Sequence, residues 1–308
     1  MKALVHFGLP KAGSSSIQEF LKINRQALLT RGIRYAPFNP DFGSQYELAA
    51  TGVVGAGRSI PDQPARLVLG LRAPEDDLAY VERYRAFLDS ALPTWSEELF
   101  VASSEHIQPW LHTAEMIGAL DRFLSERFSE VRYALYLRRQ SDIMLSAYSE
   151  RIKRGETLSF DSHLAGRLGA LNFNQMVRQW EKNIGADRLD VRLLSPDALV
   201  GGDLISDFCA LMGTERDGLI EPGRMNTALG AGEVAVRRRL NRWLPVLGKD
   251  GQPNALYFRA LSKWMRLRPR PPAPLTLTEP QRKLIEDYYA PSNDRLRARR
   301  FPGRKTLF

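Results

Sequence analysis

Residues 4–18 read Leu-Val-His-Phe-Gly-Leu-Pro-Lys-Ala-Gly-Ser-Ser-Ser-Ile-Gln, and this stretch decides the fold. The apolar run at 4–7 has the composition of a buried strand. Gly8, Pro10 and Gly13 mark a tight turn, and three serines then open a helix. The first N–H groups of a helix have no carbonyl a turn earlier to bond. A strand–turn–helix therefore aims them at whatever sits at the strand's carboxyl end, which suits an anion. Gly8 and Gly13 permit close approach of the backbone. Lys11 adds a positive charge, and Ser14, Ser15 and Ser16 add hydroxyl donors.

A second segment has the same grammar. Residues 131–138, Val-Arg-Tyr-Ala-Leu-Tyr-Leu-Arg, read as another buried strand, with a helix following from about 142 to 153. Asp142 fits an N-cap or first-turn acid. Arg138 then ends a strand, and Ser146 lies on the next helix. A guanidinium can grip a phosphate through two parallel charge-assisted bonds, and a hydroxyl adds a third donor.

Gly8 and Gly13 have the spacing of the nucleoside-triphosphate loop G-x-x-x-x-G-K-[ST], but there the lysine follows the second glycine. Here Ser14 follows Gly13, and Lys11 precedes it by two positions. The run Pro10-Lys11-Ala12-Gly13-Ser14-Ser15 resembles instead the 5′-phosphosulfate loop of sulfotransferases that use 3′-phosphoadenosine 5′-phosphosulfate (PAPS). Arg138 and Ser146, eight residues apart, resemble the second signature of that family. The resemblance implies that Pro10 to Ser16 hold the 5′-phosphosulfate and that Lys11 meets charge on the departing phosphate. It implies that Arg138 and Ser146 hold the 3′-phosphate. Gln140 stands where the family usually has proline. The segment Phe100-Val101-Ala102-Ser103-Ser104-Glu105-His106 is a further strand between the two motifs, where the family often carries its base. Glu105, at the matching strand end, is favoured over His106. Arg224, in Gly223–Leu229, resembles a segment that could assist the 3′-phosphate, and Ser292–Leu296 resembles the family's terminal helix.

The implied reaction is transfer of a sulfuryl group to a hydroxyl or amine of a carbohydrate, lipid or small molecule, releasing adenosine 3′,5′-bisphosphate. Two other readings stand beside it. One is an ATP-dependent kinase with a variant phosphate loop, opposed by the displaced lysine and the lack of an acidic strand end for Mg²⁺. The other is a non-catalytic protein that binds nucleotide or polyanion.

Composition narrows the field. The chain has 308 residues, 44% hydrophobic and 26% charged, enough for one large α/β domain or two small ones. A single domain over 1–308 is the expectation. No apolar run reaches the length of a membrane span, and the N-terminus enters a strand at once, leaving no room for a signal peptide. The one cysteine, Cys209, sits among Phe208, Leu211 and Met212 and reads as an inert buried thiol. It excludes an internal disulfide framework and fits a reducing, cytoplasmic compartment. His6 lies inside the first strand and reads as a core histidine, and His112 and His163 lack partners in the sequence. No Cys/His cluster suggests a metal site. Residues 224–308 carry 19 Lys and Arg against 6 Asp and Glu, within a net charge of +9. That basic third suggests an acidic contact such as a nucleotide, an anionic glycan or a membrane surface, with no DNA or RNA partner expected.

Strands are expected at 3–8, 99–104, 132–138 and 189–194, with a short edge strand at 33–36. Helices are expected at 14–31, 79–92, 114–127, 142–153, 173–183 and 197–212. Alternation of this kind predicts an α/β fold: a P-loop-like, mostly parallel sheet with helices on both faces and extra C-terminal helices. Residues 37–78 read as a long irregular excursion, and 230–308 as a basic helical part. There, Arg237-Arg238-Arg239 should lie on a helix whose apolar side carries Val236, Leu240, Trp243 and Leu244. Arg268–Pro274 reads as a stiff connector, and a last helix runs from Thr278 to about 289.

Overall fold

The computed structural model describes residues 1–61, 63–223, 229–248, 251–267 and 272–308. Five strands run β1 (Lys2–Phe7), β2 (Ile33–Arg34), β3 (Leu99–Ser104), β4 (Val131–Leu137) and β5 (Leu189–Leu193). The helices before β4 are α1 (Ser14–Ile23), α2 (Arg25–Leu29), α3 (Tyr46–Gly55), α4 (Gln63–Val68), α5 (Pro74–Ala91), α6 (Ile107–Trp110) and α7 (Ala114–Ser125). After it come α8 (Gln140–Lys153), α9 (Phe160–Ala165), α10 (Phe173–Ile184), α11 (Leu204–Met212), α12 (Ala231–Trp243), α13 (Ala255–Leu267) and α14 (Glu279–Arg300). The chain divides into two compact units, one of residues 1–138, 173–225 and 308, the other of 139–172 and 226–307.

The first unit holds the whole sheet, in the order β2-β3-β1-β4-β5, with every pairing parallel. This is the expected α/β architecture. After β1 the chain builds toward β3 on one side, then crosses to β4 on the other. Ligands of such sheets collect outside the carboxyl ends of the strands where the order reverses. Alternate residues of each strand serve opposite faces. Leu4, Val101, Ala134 and Tyr136 pack with Ile17, Phe20 and Phe208 under α1 and α11. On the other face Phe7 stacks on Trp180 of α10 with ring centroids 4.1 Å apart. Tyr133 leans on the same indole at 5.6 Å. Burying side chains of this size contributes roughly 2–3 kcal/mol each. Cys209 is buried in the first of these clusters, as its neighbours suggested.

The long helix expected over 14–31 is broken at Asn24, which caps both pieces. Its side chain donates to Phe20 O and Ile220 O, both at 2.9 Å, and accepts from Ile220 N at 2.7 Å. The excursion expected over 37–78 is largely ordered, containing α3 and α4. Residues 47–53 of α3 are all buried, so no amphipathic period exists to betray the helix. Gly52, which reads as a breaker, is a packing site: a Cβ there would meet Leu111 Cδ2 at 2.5 Å. Helix α4 is tied down by Arg66, whose guanidinium donates to both carboxylate oxygens of Asp77 at 2.6 and 2.7 Å. Asp77 also accepts from Ile60 N at 3.0 Å.

In the second unit, Met144, Leu164, Ile285 and Tyr289 form one core, and Tyr148, Ile152, Leu229 and Val234 another. Helix α14 runs to Arg300, well past the expected end, with Pro291 inside it. Tertiary anchors around the proline carry the helix through. The Tyr289 hydroxyl accepts from Gly169 N and Leu171 N. Ser292 donates to Asn172 at 2.6 Å, and Leu296 is fully buried. Trp243 is not on a covered apolar side but 85% exposed; Val234 anchors α12 instead. Of the Arg268–Pro274 connector, residues 268–271 lie outside the described residues.

Helix α3 also buries Glu47 completely. Its Oε1 accepts from Phe38 N at 2.9 Å and Gln45 Nε2 at 3.3 Å, and burial pushes its pKa up to about 7. The folded state thus holds a proton that the unfolded chain, at 4.5, has released. Stability from this group is full below about pH 4.5 and falls as pH rises toward 7, by on the order of 3 kcal/mol. Glu47→Gln should flatten that part of the profile, read as the urea midpoint against pH in both proteins. Parallel curves for the two would refute the assignment.

Candidate active site

The turn after β1 is built by steric constraint. Gly8 N donates to Ser104 O at 3.0 Å, carrying the β1–β3 pairing one residue past the strands. A Cβ at Gly8 would lie 2.6 Å from Ser14 Cβ, so only glycine lets the chain fold back over the helix start. Lys11 has φ 69°, the one non-glycine in the left-handed region among the described residues. That conformation costs roughly 1–2 kcal/mol and persists where surroundings impose it. Gly13 caps α1 with φ 89°, and its carbonyl accepts from Ser16 N and Ile17 N. The N–H groups of Ser14 and Ser15 precede the first intrahelical bond, as an anion cradle requires.

Arg138, half-buried just past the end of β4, reaches this turn. Its Nη1 donates to Lys11 O at 3.0 Å. Arg138 of the second motif and the Lys11 turn of the first, 127 residues apart, therefore meet at the carboxyl edge of adjacent strands β1 and β4.

Across β1, the end of β3 supplies Glu105. Ser14 Oγ donates to Glu105 Oε2 at 3.1 Å. Glu105 lines a cavity of about 490 Å³, together with Ser15, Gln18, Tyr35, Phe42 and Ser44. Lys22, Arg25, Glu19 and Asp41 also border it, so the cavity carries charge of both signs. His106 does not line that cavity. Its ring stacks on Tyr46 with centroids 4.0 Å apart, and its Nδ1 shares a 2.9 Å hydrogen bond with Ser44 Oγ. Ser44 Oγ also accepts from Glu105 N at 3.2 Å. The next residue extends the sheet edge: Gln45 N donates to Ser103 O at 3.2 Å and Ser103 N to Gln45 Oε1 at 2.8 Å. Ser44 and Gln45 were not singled out by sequence reasoning. No local signal marks them: Gln45 stands at the N-cap of α3 without a side-chain capping bond, and the bonds that matter run to β3.

His6 is the expected core histidine. Its Nδ1 bonds Ser103 Oγ at 2.8 Å, and complete burial pushes its pKa down to about 3, keeping the ring neutral. Ser146 lies half-buried on α8 in the second unit, and Asp142 sits in the first turn of that helix. Gln140, at the start of α8, pairs reciprocally with Asn293: it donates at 2.7 Å and accepts at 3.2 Å. Arg224 lies outside the described residues. No cluster of potential metal ligands occurs among the described residues.

No family model matches the chain, and no curated protein matches it. Among solved structures it is similar to a sulfotransferase from Alicyclobacillus acidocaldarius, at 13% identity and a TM-score of 0.49, over 96% of this chain and 94% of that one. It is also similar to the sulfotransferase domain of the Synechococcus PCC 7002 olefin synthase, at 14% identity and a TM-score of 0.41, over 94% of each chain.

The turn yields a direct test. In Gly13→Ala the new Cβ would meet Leu204 Cδ2 at 2.5 Å while the backbone remains left-handed. The substitution should destabilise the protein by about 1–3 kcal/mol, measured by chemical denaturation. An unchanged midpoint would mean the turn is not held as described.

Proposed function

We propose that the protein is a PAPS-dependent sulfotransferase that moves a sulfuryl group to an acceptor hydroxyl or amine and releases adenosine 3′,5′-bisphosphate. The observation that carries this reading is the bond from Arg138 to the Lys11 carbonyl. It joins an anion-binding turn and a strand-end guanidinium, the two parts that a doubly phosphorylated adenosine needs. Glu105, beside the turn and lining a cavity, supports the catalytic half of the reading.

In this reading the N–H groups and hydroxyls of Ser14, Ser15 and Ser16 hold the 5′-phosphate, with Pro10, Ala12 and Gly13 shaping the turn. Lys11 stabilises negative charge on the oxygen that leaves sulfur. Arg138 meets the 3′-phosphate; by resemblance Ser146 and Arg224 assist it. Glu105 accepts the acceptor's proton as the new bond to sulfur forms and the old sulfur–oxygen bond breaks. His106, stacked and bonded to Ser44, serves to hold the Glu105 turn rather than to take the proton. The cavity walled by Tyr35, Phe42 and Tyr46 suits an acceptor with flat apolar faces and polar edges, as carbohydrates and phenols have.

Calorimetric titration with adenosine 3′,5′-bisphosphate against ADP tests the donor class. The bisphosphate should bind at least about tenfold tighter, because only it engages a second anion grip. Equal affinities, or turnover of ATP with Mg²⁺, would replace this reading with the kinase one. Lys11→Ala should lower kcat on the order of 10²–10³-fold with donor still bound, followed as bisphosphate released from PAPS. Arg138→Ala should abolish the preference for the 3′-phosphorylated nucleotide; a retained preference would remove Arg138 from the donor site.

A further inference from the structure

The second unit carries a surface that the proposed chemistry does not use. Helices α12 and α13 form a hairpin whose first helix is anchored on α8 and the turn after it. Val234 packs with Tyr148 and Ile152, and Asn241 Nδ2 donates to Ile152 O and Glu156 O at 2.9 and 2.8 Å. Beyond α12 the chain is closed by its own backbone. Gly248 N donates to Gln252 O at 2.7 Å, and Asn254 N donates to Val246 O at 2.9 Å. Asn254 then caps α13 by accepting from Leu256 N at 3.1 Å.

The described residues of the hairpin leave large apolar groups in water. Trp243 is 85% exposed, Leu256 61% and Leu247 54%, and Leu267 at the far end of α13 is 76% exposed. On α13 the spacing of Leu256, Arg259, Lys263 and Leu267 sets all four on one exposed stripe, while Tyr257 and Leu261 on the opposite side are buried. The hairpin is also basic: residues 231–267 contain eight Lys and Arg and two acids, Glu233 and Asp250, of which Glu233 is paired with Arg237.

Exposed tryptophan and leucine, flanked by cations with almost no acids, define a partner that is both apolar and negatively charged. A second copy would bring the same positive charge and repel this one. A nucleic acid or glycan would use the cations but would gain little from the leucines. An anionic lipid surface uses both, since its headgroups meet Lys and Arg while Trp and Leu enter the acyl boundary. We propose that the α12–α13 hairpin docks the protein on anionic phospholipid membrane. No helix among the described residues is long and apolar enough to cross one, so the contact is peripheral. The docking does not depend on the sulfuryl-transfer reading.

The test is co-sedimentation of the full chain with vesicles of phosphatidylcholine and phosphatidylserine, compared with phosphatidylcholine alone. Binding should need the anionic lipid and weaken with salt. The pair Trp243→Ala and Leu256→Ala should lower partitioning on the order of tenfold, and so should Arg259→Glu with Lys263→Glu. In the wild type, brominated lipid should quench tryptophan emission, and Trp243→Phe should remove most of that quenching. Absence of vesicle binding would overturn the proposal. So would binding that ignores the apolar pair and is displaced by heparin or duplex DNA, which would mark a polyanion site. Self-association that the apolar pair abolishes would mark an interface between copies instead, and would equally overturn it.

Discussion

The bond from the Arg138 guanidinium to the Lys11 carbonyl is the contact on which the site depends. A lysine in the left-handed region does not hold that shape by itself. Gly8 and Gly13 let the chain turn sharply on either side of it, and Arg138 fixes the carbonyl between them. The arginine can reach only because β4 lies directly against β1 with parallel register. One hydrogen bond thus links the order of strands in the sheet to the local geometry of the turn after β1.

On the other side of β1 the same logic is carried by neutral hydrogen bonds. Ser44 and Gln45 bind the carboxyl end of β3 through Glu105 N, His106 and Ser103. They bring one wall of the cavity to the carboxylate that lines it. Behind that wall lies Glu47, buried with amide donors and with its carboxyl pushed toward neutrality. A carboxylate in such a place costs stability once charged. The segment that walls this cavity therefore also carries a group that couples stability to pH near neutrality.

The second unit is held by different means. Its cores are small, and side-chain hydrogen bonds such as Gln140–Asn293 and Ser292–Asn172 fasten α14 to its neighbours. The α12–α13 hairpin is fastened through α12, by Val234 near its start and Asn241 near its end, and the chain beyond α12 closes on itself through backbone bonds of Gly248 and Asn254. That construction allows large apolar side chains to stay in water without unravelling the turn, the arrangement a membrane-docking element needs.

Much of this was legible in the chain itself. The buried strands at 4–7 and 131–137, the glycine spacing of the first turn, Arg138 at a strand end and Glu105 before His106 are local patterns. They follow from periodicity and turn chemistry, which depend on near neighbours. What stayed hidden depends on contacts distant in sequence. Helix α3 is buried all round and so lacks a period, and Asn24 splits a helix because it bonds Ile220. Pro291 is tolerated because tertiary anchors hold α14 on both sides of it. Trp243 looks like core by spacing, yet it is largely exposed. Local sequence determined which segments could bind an anion; only the folded sheet decided that Arg138 meets Lys11 and that Glu105 meets Ser14. The reason is that strand order brings together residues about 90 and 130 positions apart, and short-range pattern carries no information about strand order.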